Sequence, residues 1–178
     1  MKFEIKNVIA TFEIESPVNL KEVYSHFSEN SLYDDTIFNR GVVVLQNKNP
    51  KLSLLIYRTG KVICTGAESI QSAKNSDELF EKLAKKKNFE LNILKKPSVN
   101  NIVGVAEFEN NLDLEELTNK LEPKRVLYEP EQFPGLIYHL NEPDVKVLIF
   151  KSGKIVCVGG KTKEDLDIVP EKLQKVLK

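Results

Sequence analysis

The sequence predicts an α+β fold in which two copies of one β-α-β-β-β-β-α unit share a single antiparallel sheet, with the helices on one of its faces. Three observations carry this. The first is an internal repeat. YRTGKVICTGAE at 57–68 returns as FKSGKIVCVGGK at 150–161, and IKNVIATFEIE at 5–15 returns as VNNIVGVAEFE at 99–109. Tyr33, Phe38 and Pro50 find counterparts in Tyr128, Phe133 and Pro143. A repeat of about 90 residues is far longer than a solenoid unit, so each copy is a half-domain and a pseudo-two-fold axis should relate the two. The second observation is that the last strand of each copy is apolar on both sides. Val62 and Cys64 alternate with Ile63 and Thr65, and Ile155 and Cys157 alternate with Val156 and Val158. Two helices per half cover only one face, so the other face is apolar and bare, which marks a binding surface. The third is the joint at 91–98, LNILKKPS, which is short and partly apolar. It predicts one continuous fold, with repeats at 1–92 and 93–178.

The elements follow in order. Residues 2–14 alternate as a strand. Asn19 or Ser16 can cap a helix over roughly 19–29, with Leu20, Val23, Tyr24 and Phe27 on one face. Runs at 41–46, 51–58 and 60–66 are β-branched and aromatic, and turns at NKNP and RTGK separate them. Gly60 supplies the positive φ of a tight hairpin. After Ser72 the spacing of Leu79, Phe80, Leu83 and Ala84 is helical, and Lys85, Lys86 and Lys87 suit a helix C-terminus. The second copy predicts a strand at 99–109, a helix at 112–121, strands at 135–141, 144–151 and 153–159, and a helix at 162–177. The strand count falls slightly short of ten.

Composition excludes several classes. With 178 residues and 26 basic against 26 acidic side chains, no global field draws the chain to nucleic acid, so any such contact is local. No run of apolar residues is long enough to span a membrane. MKFEIKNVIATFEIE reads as a charged strand rather than a signal peptide. Cys64 and Cys157 occupy equivalent positions, which could suggest a bridge across the pseudo-axis, but they read as small core residues of a reduced intracellular protein. His26 and His139 do not build a metal site with them, and no nucleophile–base set, carboxylate cluster or phosphate loop supports catalysis.

YEPEQFPGLIY at 128–138, VLIFKSGKIVC at 147–157 and LLIYRTGKVICTGA at 54–67 resemble the TATA-box-binding proteins, general transcription factors of archaea and eukaryotes. The resemblance spans nearly the whole chain and is thinnest at 14–48; without an N-terminal extension the chain looks like the archaeal form. It implies a saddle: one curved antiparallel sheet whose concave face lies on a widened minor groove, with four helices on the convex back. It implies no enzyme and no cofactor. By resemblance, Asn7 and Asn101 give the central hydrogen bonds, with Thr65 adding another and Thr11 on the same face. Ile9, Leu55, Ile63, Val103, Leu148, Val156 and Val158 line the groove. Phe133 with Phe150, and Phe38 with Tyr57, wedge into base steps, with Pro134 shaping the second stirrup. Lys61, Lys154 and Lys161 meet phosphates. Glu129 and Glu131 match the acidic positions that recruit transcription factor B and, indirectly, RNA polymerase. A homodimer without DNA is left open. The implied location is the cytoplasm and nucleoid of an archaeal cell, or the nucleus of a eukaryote.

The chain also departs from the family pattern. The first stirrup has Phe38-Asn39-Arg40-Gly41 in place of Phe-Pro-Gly, and runs twelve positions to Pro50 against ten from Phe133 to Pro143. Tyr57 replaces Phe, Val158 replaces Thr, Glu68 replaces a phosphate-facing lysine and His139 replaces Arg. Lys146 enters the concave face at an aliphatic position, long enough to snorkel to a phosphate. These departures keep open an alternative, a diverged paralogue acting mainly as a protein-interaction module.

Overall fold

The computed structural model describes residues 1–34, 36 and 41–174. The elements are β1 (Glu4–Ile14), α1 (Leu20–Phe27), β2 (Ser31–Asp34), β3 (Val42–Lys48), β4 (Lys51–Tyr57), β5 (Lys61–Ala67), α2 (Ile70–Lys74), α3 (Ser76–Lys86), β6 (Ile93–Glu107), α4 (Leu114–Lys120), β7 (Val126–Leu127), β8 (Gly135–Asn141), β9 (Asp144–Phe150), β10 (Lys154–Gly160), α5 (Lys163–Asp167) and α6 (Val169–Gln174). The fold is α+β. The strands form a ten-stranded sheet of order β2-β3-β4-β5-β1-β6-β10-β9-β8-β7. The chain divides into two compact units, Asn7–Asn100, and Met1–Lys6 with Asn101–Lys178. The joint expected at 91–98 is strand from residue 93 onward, so β6 passes through the boundary.

In the first unit, β-branched and aromatic runs give β3, β4 and β5, and the turns between them are set by chemistry. Asn47 Nδ2 donates to the Pro50 carbonyl at 2.6 Å across the β3–β4 turn. Gly60 closes the β4–β5 turn with φ +80, and a Cβ there would overlap the Ile14 carbonyl oxygen, so only glycine fits. Asn19, not Ser16, caps α1, accepting from Glu22 N at 3.3 Å. The covered side of the sheet buries Val8, Ala10, Phe12, Leu54, Ile56, Val62 and Cys64, and Val23, Phe27, Phe80 and Ala84 are buried on the helices, with α1 against β2 and β3 and α2 against β5. Phe27 ties α1 to α3, its ring centroid 6.0 Å from that of Phe80. Each large apolar side chain removed from water contributes about 1.5–3 kcal/mol before the cost of ordering it.

The second unit repeats this. Gly153, φ +85, closes the β9–β10 turn. Asp113 caps α4, and Thr162 with Asp165 forms a capping box at α5. Ile102, Ala106, Val147, Ile149, Ile155 and Cys157 are buried, as are Leu114, Leu117, Leu166 and Leu173 on the helices, with α4 against β8 and α5 against β10. In both units the helix expected after the last strand is two segments. Asn75 ends α2 and begins α3, with φ −96 and ψ 14 rather than helical values, and α5 stops at Ile168 before α6. Four helices read from periodicity are therefore six among the described residues.

Candidate nucleic-acid interface

The side of each half-sheet opposite the helices is made by residues one step out of phase with the core. On β1, Ile5, Asn7, Ile9 and Thr11 are half-exposed while Val8, Ala10 and Phe12 are buried. Leu55 and Tyr57 on β4, Ile63 and Thr65 on β5, Asn101 and Val103 on β6, Leu148 and Phe150 on β9, and Val156 and Val158 on β10 are all half-exposed on the same principle. Strand register joins them into rows. Leu32, Val44, Leu55, Ile63 and Thr11 are consecutive cross-strand partners in the first unit. Leu127, Ile137, Leu148, Val156 and Val105 are their counterparts in the second. The sequence reading missed Leu32, Val44, Val105, Leu127 and Ile137. Leu32 is 65% exposed and Leu127 52%, among the most exposed large hydrophobics described, and both extend an apolar row at its outer end. Pairing within a repeat was the missing signal: β2 and β7 are too short to show a period.

Two asparagines on the same strands as the inner ends of these rows are held in a defined orientation. The β1–β5 register shifts between Val8 and Ala10, and the β6–β10 register shifts between Val158 and Gly160. At each irregularity a glycine N–H turns to an asparagine: Gly66 N donates to Asn7 Oδ1, and Gly159 N to Asn101 Oδ1, both at 2.8 Å. An N–H needs an acceptor, so the oxygen of each amide is committed to the sheet and its NH2 group, two donors, is the end left for a ligand.

Aromatic side chains gather beside the rows. Phe133 and Phe150 lie edge to face with centroids 5.7 Å apart. Gly135 lies beneath them, where a Cβ would come within 2.9 Å of Phe133 and 3.0 Å of Phe150. Gln132 N and Phe133 N both donate to the Glu129 carbonyl at 2.9 Å, a turn that leaves Glu129, Glu131 and Pro134 exposed beside the ring pair. Tyr57 is half-exposed at the position matching Phe150; Phe38 lies outside the described residues. The strands β3 and β8 keep equal hairpins with β4 and β9 from Val42 and Gly135 onward, so the two extra residues of the first stirrup fall before Val42.

Lys61, Lys154 and Lys161 are exposed around this face. Glu68, the counterpart of Lys161, meets Lys51 Nζ at 3.6 Å, an exposed pair of small energetic worth. His139 Nε2 is 2.9 Å from Asp144 Oδ1. The backbone N–H of Lys161, followed by the N–H and hydroxyl of Thr162, holds the Asp165 carboxyl below its ordinary range against partial burial. Cys64 and Cys157 are free and buried; burial pushes the first thiol up to about 11 and the second to about 12. Among the described residues no group of His, Cys, Asp and Glu could hold a metal ion, and no helix is long and apolar enough to cross a membrane.

The model of the family described as transcription factor TFIID, or TATA-binding protein, matches residues 2–86 and 96–178. The chain belongs to the TATA-binding-protein family. Its members are transcription factors rather than enzymes, and the coarse role that membership gives the chain is in transcription initiation. Relatives include the TATA-box-binding protein of Archaeoglobus fulgidus, 36% identical over 99% of this chain and 95% of its own. That of Haloarcula marismortui is 38% identical over 96% and 92%. Among solved structures, Methanococcus jannaschii TBP superposes with a TM-score of 0.82 at 34% identity, covering 99% of this chain and 98% of that one. The fold of the TATA-binding-protein family is therefore this chain's fold.

Proposed function

We propose that the chain binds A·T-rich promoter DNA, a TATA box, through the minor groove, bends it, and recruits transcription factor B and through it RNA polymerase. The observation that carries the reading is the pair of asparagines whose amide oxygens are held by Gly66 N and Gly159 N. Their NH2 groups are donors on a face whose central rows are mostly apolar, and the minor groove at A·T pairs offers only acceptors. The flanking rows of Ile9, Leu55, Ile63, Val103, Leu148, Val156 and Val158 have nothing to accept the guanine amino group, so G·C pairs are disfavoured. Lys61, Lys154 and Lys161 hold phosphates. Phe133 and Phe150 enter a base step in the second half, and Tyr57 with Phe38 in the first. TATA-binding proteins are themselves the reference case for such wedging, so that step comes with the family rather than from this geometry. Glu129 and Glu131, exposed beside the ring pair, suit a basic surface on transcription factor B. Without DNA the bare apolar rows are open to a second copy of the chain. The site of action is promoter DNA, in the nucleoid of an archaeal cell or the nucleus of a eukaryotic one.

The test is a fluorescence-anisotropy titration of an A·T-rich duplex against a G·C duplex, with and without transcription factor B. We expect at least about tenfold preference for the A·T duplex, the cost of one or two mismatched base pairs, and further tightening when the factor is added. Equal affinities for the two duplexes would end the groove reading. Replacing both acidic residues, Glu129→Arg with Glu131→Arg, should abolish the tightening and leave binary affinity within about threefold. Loss of binary binding instead would mean that these charges serve the fold.

A further inference from the structure

Matched position by position, the open faces of the two units differ sharply in one row. In the first unit it reads Gln46, Ser53 and Thr65, three neutral groups that can both donate and accept. In the second it reads His139, Lys146 and Val158. Lys146 thus puts a cation in the interior of a strand, between apolar neighbours Leu148 on its own strand and Val158 across from it. Its four-carbon stem can lie along those side chains while the ammonium reaches the edge. At that edge is an open cleft lined by His139, Pro143, Asp144, Lys146, Gly159 and Lys161. Two ammonium groups line one cleft, and among the described residues neither lies within ion-pair distance of a carboxylate. The two carboxylates at the cleft are held by the cleft's own donors, and the Lys161 charge is the last of the causes that lower the Asp165 carboxyl. Asp144 Oδ1 meets His139 Nε2, and Asp165 Oδ2 accepts from Lys161 N at 2.8 Å and Thr162 N at 2.9 Å. In the first unit the equivalent positions hold Ser53, which carries no charge, and Glu68, paired to Lys51.

Two ammonium groups on one cleft, neither of them in an ion pair, are stabilised when an anion bridges them. We propose that Lys146 is a DNA-backbone ligand that shares a phosphate with Lys161, and that this contact exists in the second unit alone. The inference rests on the DNA-binding reading above. Its consequence is polarity: the two units hold the backbone with unequal charge, so a near-palindromic A·T duplex is bound in a preferred direction.

The test compares salt slopes, log K against log salt, on one A·T-rich duplex. Lys146→Ser, which installs the first unit's residue, should lower the slope by about one. Ser53→Lys with Glu68→Lys, which transplants the pair into the first unit, should raise it by about one to two. Lys120→Ala, on α4 and away from the face, should leave it unchanged. A duplex carrying single neutral methylphosphonates should reveal one phosphate whose neutralisation weakens the wild type several-fold and Lys146→Ser distinctly less, since Lys161 alone then holds it. If the wild type binds with a salt-dependent affinity and Lys146→Ser keeps the wild-type slope, or Lys120→Ala lowers it as much, this inference is overturned and the DNA reading stands. If the wild type binds no duplex, both fall.

Discussion

A single amide does two things at Asn101, and at Asn7 by repetition. Its oxygen satisfies a glycine N–H that the strand irregularity leaves unpaired, and its nitrogen is left as a donor on the open face. The two roles can be separated. Asn101→Asp keeps an acceptor for Gly159 N, so the fold should survive. It also replaces the donor with a negative charge facing groove acceptors and phosphates. We expect unchanged thermal unfolding and a loss of DNA affinity of about 1–3 kcal/mol or more. Asn101→Ala should lose both, with about 1 kcal/mol of stability gone as well. An unchanged affinity in the Asp variant would show that the amide nitrogen reaches no acceptor. The neighbouring row gives a gain-of-contact counterpart. Val158 occupies the place of Thr65, and Val158→Thr should tighten binding by about 0.5–1.5 kcal/mol if the groove is within reach. Matched placement in the repeat singled out these residues in the sequence. The partner of each asparagine was not legible, because a strand irregularity leaves no mark in a period-two pattern.

At the level of elements, Gly135 at the start of β8 is the floor under two rings. A methyl group there would press on Phe133 and Phe150 together, so Gly135→Ala should displace the ring pair at a cost of about 1–3 kcal/mol. It should reduce the DNA bend read by end-to-end energy transfer more than it reduces affinity. A normal bend would mean that the pair is not the wedge. Tyr57→Phe should be neutral or tighten binding, since it removes a hydroxyl that must lose water. The cap of α5 has its own signature. Asp165 titrates below the ordinary carboxylate value of 3.8, so its stabilisation is complete above that value and is lost as pH falls through the lower folded value. Thr162→Ala should cost about 0.5–2 kcal/mol in chemical denaturation at neutral pH, and the Asp165→Asn deficit should shrink in strong acid. Strands and their faces were legible because β5 and β10 alternate cleanly. The break at Asn75 was not, since the apolar spacing continues across it while the backbone leaves helical values, nor was the one at Ile168, whose backbone stays in the helical region.

Over the whole chain the charges cancel, 26 against 26, yet binding should weaken steeply with salt, because a phosphate responds to the lysines beside it. Lys61→Ala, Lys154→Ala and Lys161→Ala should each reduce the slope by about one unit or less; three unchanged slopes would displace the whole DNA face. The repeat made most of the architecture readable, the short β2 and β7 and the helix breaks apart, and it also made the departures readable, because nearly every residue of one half has a reference in the other. The buried thiols carry a practical corollary. With burial pushing Cys64 to about 11 and Cys157 to about 12, roughly one thiol in ten thousand or fewer is ionised at neutral pH, and the thiolate is the reactive form. The native protein should be silent to maleimides and take up two equivalents once unfolded. A single cysteine introduced at an exposed position such as Glu109 would then accept a dye alone, leaving the wild-type core untouched and the bending of DNA open to direct optical measurement.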